Sequence, residues 1–301
     1  MRVTYNSISS QVLGNITDGL EGLAKLQERL ASSKQINRPS DDPLGTSLVI
    51  RLAAMKGSVE SYQEAASAGE QFLGATSSAL KDVTEVLQQV REIAVEGASD
   101  TTSSTRPQLA EQVNRLLEDL VDLSQSRFAG RYLFGGIQGD SSPFNAVRDA
   151  NGDITTVTAN PDGIGRAVIT EVADGVRVET SIPGDEVFQG GVDVFQTVIG
   201  LRTALLADDG TAAAASIDSL ASAIAQLNSA TGAVGVSVQR IQAVEERNNT
   251  DLTRIETLRG QTEDADIAEL YLELQQKQNA FQASLAAGAK ALQMSLLDFL
   301  S

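Results

Sequence analysis

The large apolar residues of the last stretch, Asp264–Ser301, fall at Ile267, Leu270, Leu274, Phe281, Leu285, Leu292, Leu296 and Phe299. Steps of three, four and seven place them on one stripe of a helix. At 1.5 Å per residue such a helix runs about 50 Å. Gln278, Gly288 and Ser295 interrupt the stripe, so the apolar face is thin and needs a partner. The opposite end of the chain repeats the spacing at Leu13, Ile16, Leu20, Leu23 and Leu30. The two patterns predict N- and C-terminal helices that pack together.

The segment Ala31–Pro43 is polar and holds two prolines, the mark of a loop. Asp42 suits an N-cap and Pro43 a first helical residue. Beyond it Leu48, Leu52, Met55, Val59, Tyr62, Ala66, Gly69, Leu73, Thr76, Leu80, Val83, Leu87, Val90 and Ala94 alternate steps of four and three without a slip. That regularity predicts one long, coiled-coil-like helix of about 75 Å. Gly97–Thr105 reads as a turn. Pro107 then opens a helix whose stripe is Leu109, Val113, Leu116, Leu120 and Leu123, and which is expected to end near Ala129-Gly130. Two such helices make a helical hairpin.

From Tyr132 to Gly191 glycine, aspartate and β-branched residues rise. Asn151-Gly152 and Asp174-Gly175 are hairpin-turn dipeptides beside the strand-like runs Ile154–Thr158, Val168–Val172 and Val176–Thr180. Helix is expected again at Val194–Leu206. After an alanine-rich turn, a long stripe runs through Ile217, Leu220, Ile224, Leu227, Thr231, Val234, Val238, Ile241, Glu245, Asn248, Leu252 and Ile255. Glu245 and Asn248 put polar groups on that seam. The expected fold class is mainly α with a small β-rich insert, an elongated rod of long coiled-coil-like helices formed by both chain ends. The expected organisation is a terminal helix (1–41), a helical hairpin (42–136), an inserted β domain (137–191), returning helices (192–262) and a last terminal helix (263–301).

Composition narrows the chemistry. The 301 residues carry a formal net charge of −17, which repels phosphate backbones and anionic lipid and argues against nucleic-acid and membrane partners. Cysteine, histidine and tryptophan are absent. Thiol catalysis, thiolate metal sites and disulfides are thereby excluded, as is the usual neutral-pH general base. No apolar run approaches the ~20 residues of a spanning helix. The first thirty residues lack a basic start followed by an apolar run, so no cleaved signal is expected. A cytoplasmic protein fits, as does one exported by a route that reads no cleaved signal.

Three constellations invite chemical readings. Asp149-Ala-Asn-Gly-Asp153 places oxygens at positions one, three and five of a calcium loop, but Ile154 stands where the turn wants glycine and Asn160 where it wants glutamate. A hairpin turn is the expected reading. Gly163-Ile-Gly165 lacks a third glycine and opens no helical pattern, which argues against a dinucleotide site. Asp41-Asp42 and Glu245-Glu246 are adjacent acids, yet aromatics make up only 4% of the chain, so no stacking cleft for a glycosidase accompanies them. Capping and solvated faces account for both pairs. No catalytic residue, cofactor or metal ligand is expected.

Arg29-Leu-Ala-Ser-Ser-Lys-Gln-Ile-Asn-Arg-Pro-Ser-Asp-Asp-Pro43 resembles the loop after the first helix of the bacterial flagellin family. Within it the family loop motif is Ile36, Asn37, Arg38, Pro39, Asp41, Asp42 and Pro43. Thr262-Glu-Asp-Ala-Asp266, at the opening of the last helix, is similar too. Gly130-Arg131-Tyr132-Leu133-Phe134-Gly135-Gly136, followed by Ser142-Pro143-Phe144, resembles the branch of the family found at the hook–filament junction. The resemblance covers both ends and this central motif. Residues 137–191 are not diagnostic.

The resemblance implies a structural, non-enzymatic role as an adaptor in the extracellular flagellum. It implies export unfolded, with no cleaved signal, through the flagellar export apparatus, with a dedicated export chaperone. The implied partners are the first hook-associated protein, flagellin and further copies of the chain in a ring. Terminal helices would line the central channel, the hairpin and its partner helix would form the surrounding tube, and the insert would face outward. The apolar positions of the terminal helices, Leu13 to Leu30 and Ile267 to Phe299, would then be assembly contacts. A flagellin filament subunit is the nearest alternative. A secreted coiled-coil effector and an enzyme using acidic residues of the insert are remoter ones.

Overall fold

The computed structural model describes residues 5–99, 104–162 and 164–300, and the side chains of 10–99, 104–162 and 164–290. Seven α-helices occur among them: α1 (Tyr5–Ser32), α2 (Pro43–Gly97), α3 (Arg106–Ser124), α4 (Gly184–Gln189), α5 (Val194–Leu206), α6 (Gly210–Glu263) and α7 (Ile267–Leu300). The strands are β1 (Arg127–Phe128), β2 (Arg131–Tyr132), β3 (Phe144–Arg148), β4 (Ile154–Ala159), β5 (Ile169–Ala173) and β6 (Val176–Glu179). The chain divides into a terminal unit, residues 1–58 with 251–301, and a central unit, residues 59–250. These bounds take in more of α2 and α6 than the sequence pattern assigned to the terminal helices.

The central unit holds one continuous apolar core. The stripe read on α2 is buried from Ala66 to Ala94, and it meets Leu109, Val113, Leu117 and Leu120 of α3 and Leu220, Leu227, Val234 and Ile241 of α6. Thr76 on the α2 seam bonds back to the Phe72 carbonyl at 2.9 Å, which makes its burial tolerable. Asn248, the polar break on the α6 seam, is buried and donates from Nδ2 to the Val172 carbonyl at 3.0 Å. It therefore ties β5 to the helix. Leu117, absent from the stripe read on α3, is fully buried, whereas Leu116 is half-buried.

Within the central unit two helix boundaries differ from the sequence expectation. α3 stops at Ser124, and Ala129-Gly130 is instead the two-residue turn of the β1–β2 hairpin. Both residues sit at positive φ, 50° and 83°, as a turn matching strand twist requires. The alanine-rich stretch after Asp209 is not a turn but the start of α6. The Asp209 carboxylate accepts the backbone N–H groups of Thr211 and Ala212 at 3.0 and 2.9 Å, and alanine then propagates the helix.

The strands form three separate antiparallel pairs, β1–β2, β3–β4 and β5–β6. Asp149–Asp153 is the turn of the second pair. The Asp149 carboxylate accepts from the backbone N–H groups of Asn151 and Asp153, and Asp153 accepts from Asn114 Nδ2 of α3. The stretch 137–191 does not have a core of its own. Phe144 and Phe188 from it pack with Phe134 and with Phe195 of α5, at centroid separations of 5.1–5.2 Å. Buried Arg202 of α5 donates to the Ile154 carbonyl at 2.6 Å. Gln226 of α6 accepts from the backbone N–H groups of Gly191 and Val192 and donates to the carbonyls of Val187 and Val192. The strands and helices of this unit thus share one core.

Candidate assembly surface

The terminal unit differs in kind. Among its described residues the buried apolar side chains are Leu26, Leu52, Ile255 and Leu270. α1 and α7 run antiparallel and meet through glycine. A Cβ at Gly19 would stand 2.9 Å from Phe281 Cδ2, one at Gly22 would stand 3.6 Å from Lys277 Nζ, and one at Gly288 would stand 2.8 Å from Val12 Cγ1. Rising numbers on α1 thus meet falling numbers on α7. Gly288, which interrupts the stripe in the sequence, is where α1 comes close.

The loop between α1 and α2 is held from several sides. Asp42 Oδ1 accepts the N–H groups of Leu44 and Gly45, each at 3.0 Å, so it is the N-cap of α2, with Pro43 next. Asp41 Oδ2 accepts the N–H groups of Asn37 and Arg38 at 3.2 and 3.0 Å, while Lys25 Nζ of α1 meets its Oδ1 at 2.8 Å. The Lys25 hydrogen bond, with the Arg38 and Asn37 amides, lowers the Asp41 carboxyl to about 2, against the opposing effect of its desolvation. Arg38 forks onto Glu28 of α1, at 3.0 and 3.2 Å from Nη2. Ile36 seats on the face of Gly45, where a Cβ would meet its Cδ1 at 2.6 Å. Pro39 is exposed at the loop's outer edge.

At the start of the same loop Lys34 pairs with Glu263, and the backbones of 33–35 and 263–265 exchange hydrogen bonds. Asp266 caps α7 through the N–H groups of Ala268 and Glu269. α7 therefore starts at Ile267, after a break at 264–266, and not at Asp264.

The predicted contact positions divide by exposure. Leu270 is buried; Ile16, Leu23, Leu30, Leu274 and Phe281 are half-buried; Leu13, Leu20, Ile267 and Leu285 are exposed. Leu292, Leu296 and Phe299 lie outside the residues whose side chains are described. Leu26, the buried residue of α1, is missing from the stripe as read. Further exposed apolar residues lie outside the predicted set: Leu44 (84% exposed) and Ile50 on α2, Leu258 on α6, Tyr271 and Leu272 on α7. Leu48 and Met55, assigned to the α2 stripe, are exposed as well. The signal that would have found Leu44, Ile50 and Leu272 is their position off the stripe of an otherwise amphipathic helix.

The motif Gly130–Phe134 belongs to the central unit. Gly130 and Arg131 are exposed; Tyr132, Leu133 and Phe134 are core residues. Arg127 stacks over the Tyr132 ring at 4.0 Å and bonds its hydroxyl, and the Leu133 N–H donates to the Ser126 carbonyl at 2.9 Å. No group of His, Cys, Asp and Glu side chains suited to a metal ion occurs among the described residues.

Comparison with known proteins bears on this arrangement. Residues 3–139 match the model of the bacterial flagellin N-terminal helical region, and residues 217–300 that of the C-terminal helical region. Flagellar hook-associated protein 3 of Salmonella typhimurium is 27% identical over 190 residues, 62% of this chain and 59% of that protein. A Listeria monocytogenes flagellin is 31% identical over 121 residues, 40% of this chain and 42% of that protein. The chain thus spans about three fifths or less of these relatives' length. The solved structure of flagellar hook-associated protein 3 from Legionella pneumophila superposes with a TM-score of 0.60 at 14% identity, covering 70% of this chain and 97% of that one. With both helical regions matched at the two ends that pack as α1 and α7, the chain belongs to the bacterial flagellin family.

Proposed function

We propose that this chain is a structural subunit of the bacterial flagellum, an adaptor at the hook–filament junction between the first hook-associated protein and flagellin. The observation behind this reading is the terminal unit, whose long helices leave Leu13, Leu20, Leu44, Ile50 and Leu272 open to solvent around a small core. Ordering a helix costs about 1–2 kcal/mol of backbone entropy per residue, which such limited burial offsets poorly. Neighbouring subunits would supply the missing burial, as in a ring of copies. The 190-residue alignment with hook-associated protein 3, together with the Gly130–Phe134 motif, supports the junction over the filament. The role is mechanical, without enzymatic activity. It is exercised outside the cell after delivery by the export apparatus and its chaperone, and it involves neither nucleic acid nor membrane.

The deciding experiment adds purified full-length chain to isolated hooks bearing the first hook-associated protein, followed by flagellin. Filament growth that depends on the added chain is the expected result. Growth that proceeds equally without it overturns the junction role. Extension of existing filaments by the chain alone would identify a filament subunit instead.

A further inference from the structure

Two surfaces of the central unit complement each other and lie on opposite sides of α6. The first is the outer flank of that helix. Val236, Arg240, Ala243 and Arg247 follow at steps of four, three and four, all exposed, with Val236 at 67%. That spacing makes one stripe. Neither arginine has an ion-pair or hydrogen-bond partner among the described residues, so the flank offers two guanidinium groups around small apolar contacts.

The second surface is a groove along α2 lined by Glu60, Glu64, Ala68, Phe128, Ala129 and Glu245. Gln63, Ser67 and Gln71 complete the lining, so the groove mixes acidic, polar and small apolar groups. Glu245 has no cation beside it among the described residues; burial, then Glu70, pushes its carboxyl upward. An arriving guanidinium would oppose that shift by favouring the charged carboxylate.

The geometry places these surfaces back to back. Gln242 and Asn249 of α6 reach α2, bonding Glu70 at 2.6 Å and Gln63 at 2.8 Å. Each stands two residues after an arginine of the stripe, a turn of roughly 200° around the helix. The arginines thus face away from the α2 side, on which the groove opens. Surfaces that are complementary but not identical, on opposite flanks, generate head-to-tail association, which forms a ring when the rotation between subunits closes and a helical filament when it does not.

We infer that the α6 flank bearing Val236, Arg240, Ala243 and Arg247 docks into the α2 groove rimmed by Glu60, Glu64 and Glu245 on a second copy of the chain. This inference rests on the ring assembly proposed above. It names the lateral contact within that ring, and its charge pairing sets register and neighbour choice.

The chain's lack of cysteine permits a direct test. Full-length protein carrying both Ala68→Cys and Ala243→Cys is assembled on hooks bearing the first hook-associated protein, oxidised, and resolved on a denaturing gel. A ladder of disulfide-linked multimers is expected from the double variant and none from either single variant. Arg240→Glu with Arg247→Glu should abolish the ladder, and so should Glu64→Arg with Glu245→Arg. Combining all four exchanges should restore it, with far-ultraviolet dichroism verifying the fold of each variant. Assembly that proceeds without a ladder and tolerates the arginine reversal overturns the inference while leaving the junction role intact. Dimers from a single-cysteine variant also overturn it, because they report a symmetric contact. Failure of the unaltered chain to cap hooks removes the parent reading and this one together.

Discussion

Gly19 of α1 and Phe281 of α7 meet so closely that a Cβ on residue 19 would lie 2.9 Å from the phenylalanine ring. A helix-interior glycine ordinarily costs about 1 kcal/mol against alanine. Here it lets an aromatic side chain lie against the neighbouring backbone and lengthens the reach of a thin apolar stripe. Replacing Gly19 with leucine should displace Phe281 and loosen the α1–α7 pair. Amide exchange in α1 and α7 should accelerate, while the central unit melts unchanged. Equal protection in variant and parent would show that the two helices do not depend on this contact.

The Asp41 carboxyl gives the loop a pH dependence with a definite sign. Its folded value, about 2, lies below the ordinary 3.8, so the folded chain favours the charged form. Its stabilising effect is complete above about pH 4 and is lost as pH falls through about 2. Carboxyl titration followed by NMR should give that low midpoint. Because the Lys25 hydrogen bond is the leading cause, Lys25→Met should move the midpoint up toward 3.8. An unmoved midpoint would assign the shift to the backbone amides alone.

The aromatic cluster makes the stretch 137–191 part of the central core. Phe188 is fully buried and faces Phe134, Phe144 and Phe195. Truncating it to alanine should cost about 3–5 kcal/mol. Replacing 137–191 with a flexible linker removes two of the four rings and should abolish cooperative melting of the whole central unit. A linker variant that keeps native helicity and a sharp transition would restore the view of the strands as an independent insert.

Much of this architecture was legible because helical periodicity reports which face of a helix is apolar. Periodicity alone identifies the positions from Ala66 to Ala94 as a buried face, as the structure has them. The same stripe gave no warning that Leu48 and Met55 are exposed, since periodicity is blind to whether a partner covers the face. Asn248 looked like a flaw on its seam because its acceptor, Val172, is 76 residues distant. Ala129-Gly130 resembled a helix stop, lacking the asparagine or aspartate that usually announces a two-residue turn. Glycines are where hydrophobic patterning says least about packing. Gly288 scored as a gap in hydrophobicity, whereas its value lies in the room it leaves for Val12.

Exposed leucines of the terminal unit provide the sharpest test of the assembly reading. Leu13, Leu20 and Leu272 are each more than half exposed. Changing all three to serine should leave the soluble chain's melting nearly unaltered, since exposed substitutions typically act within about 0.5 kcal/mol each. In an assembled ring the same side chains would be covered by neighbours, at about 1.5–3 kcal/mol for each fully buried leucine. Every subunit would lose that contribution, so hooks should go uncapped and flagellin should escape to the medium. Calorimetry of the soluble chain and electron microscopy of hook ends would read the two effects separately. A triple variant that caps hooks normally would show that these leucines are not the contacts. One that melts early as a soluble chain would show that they stabilise the unit itself.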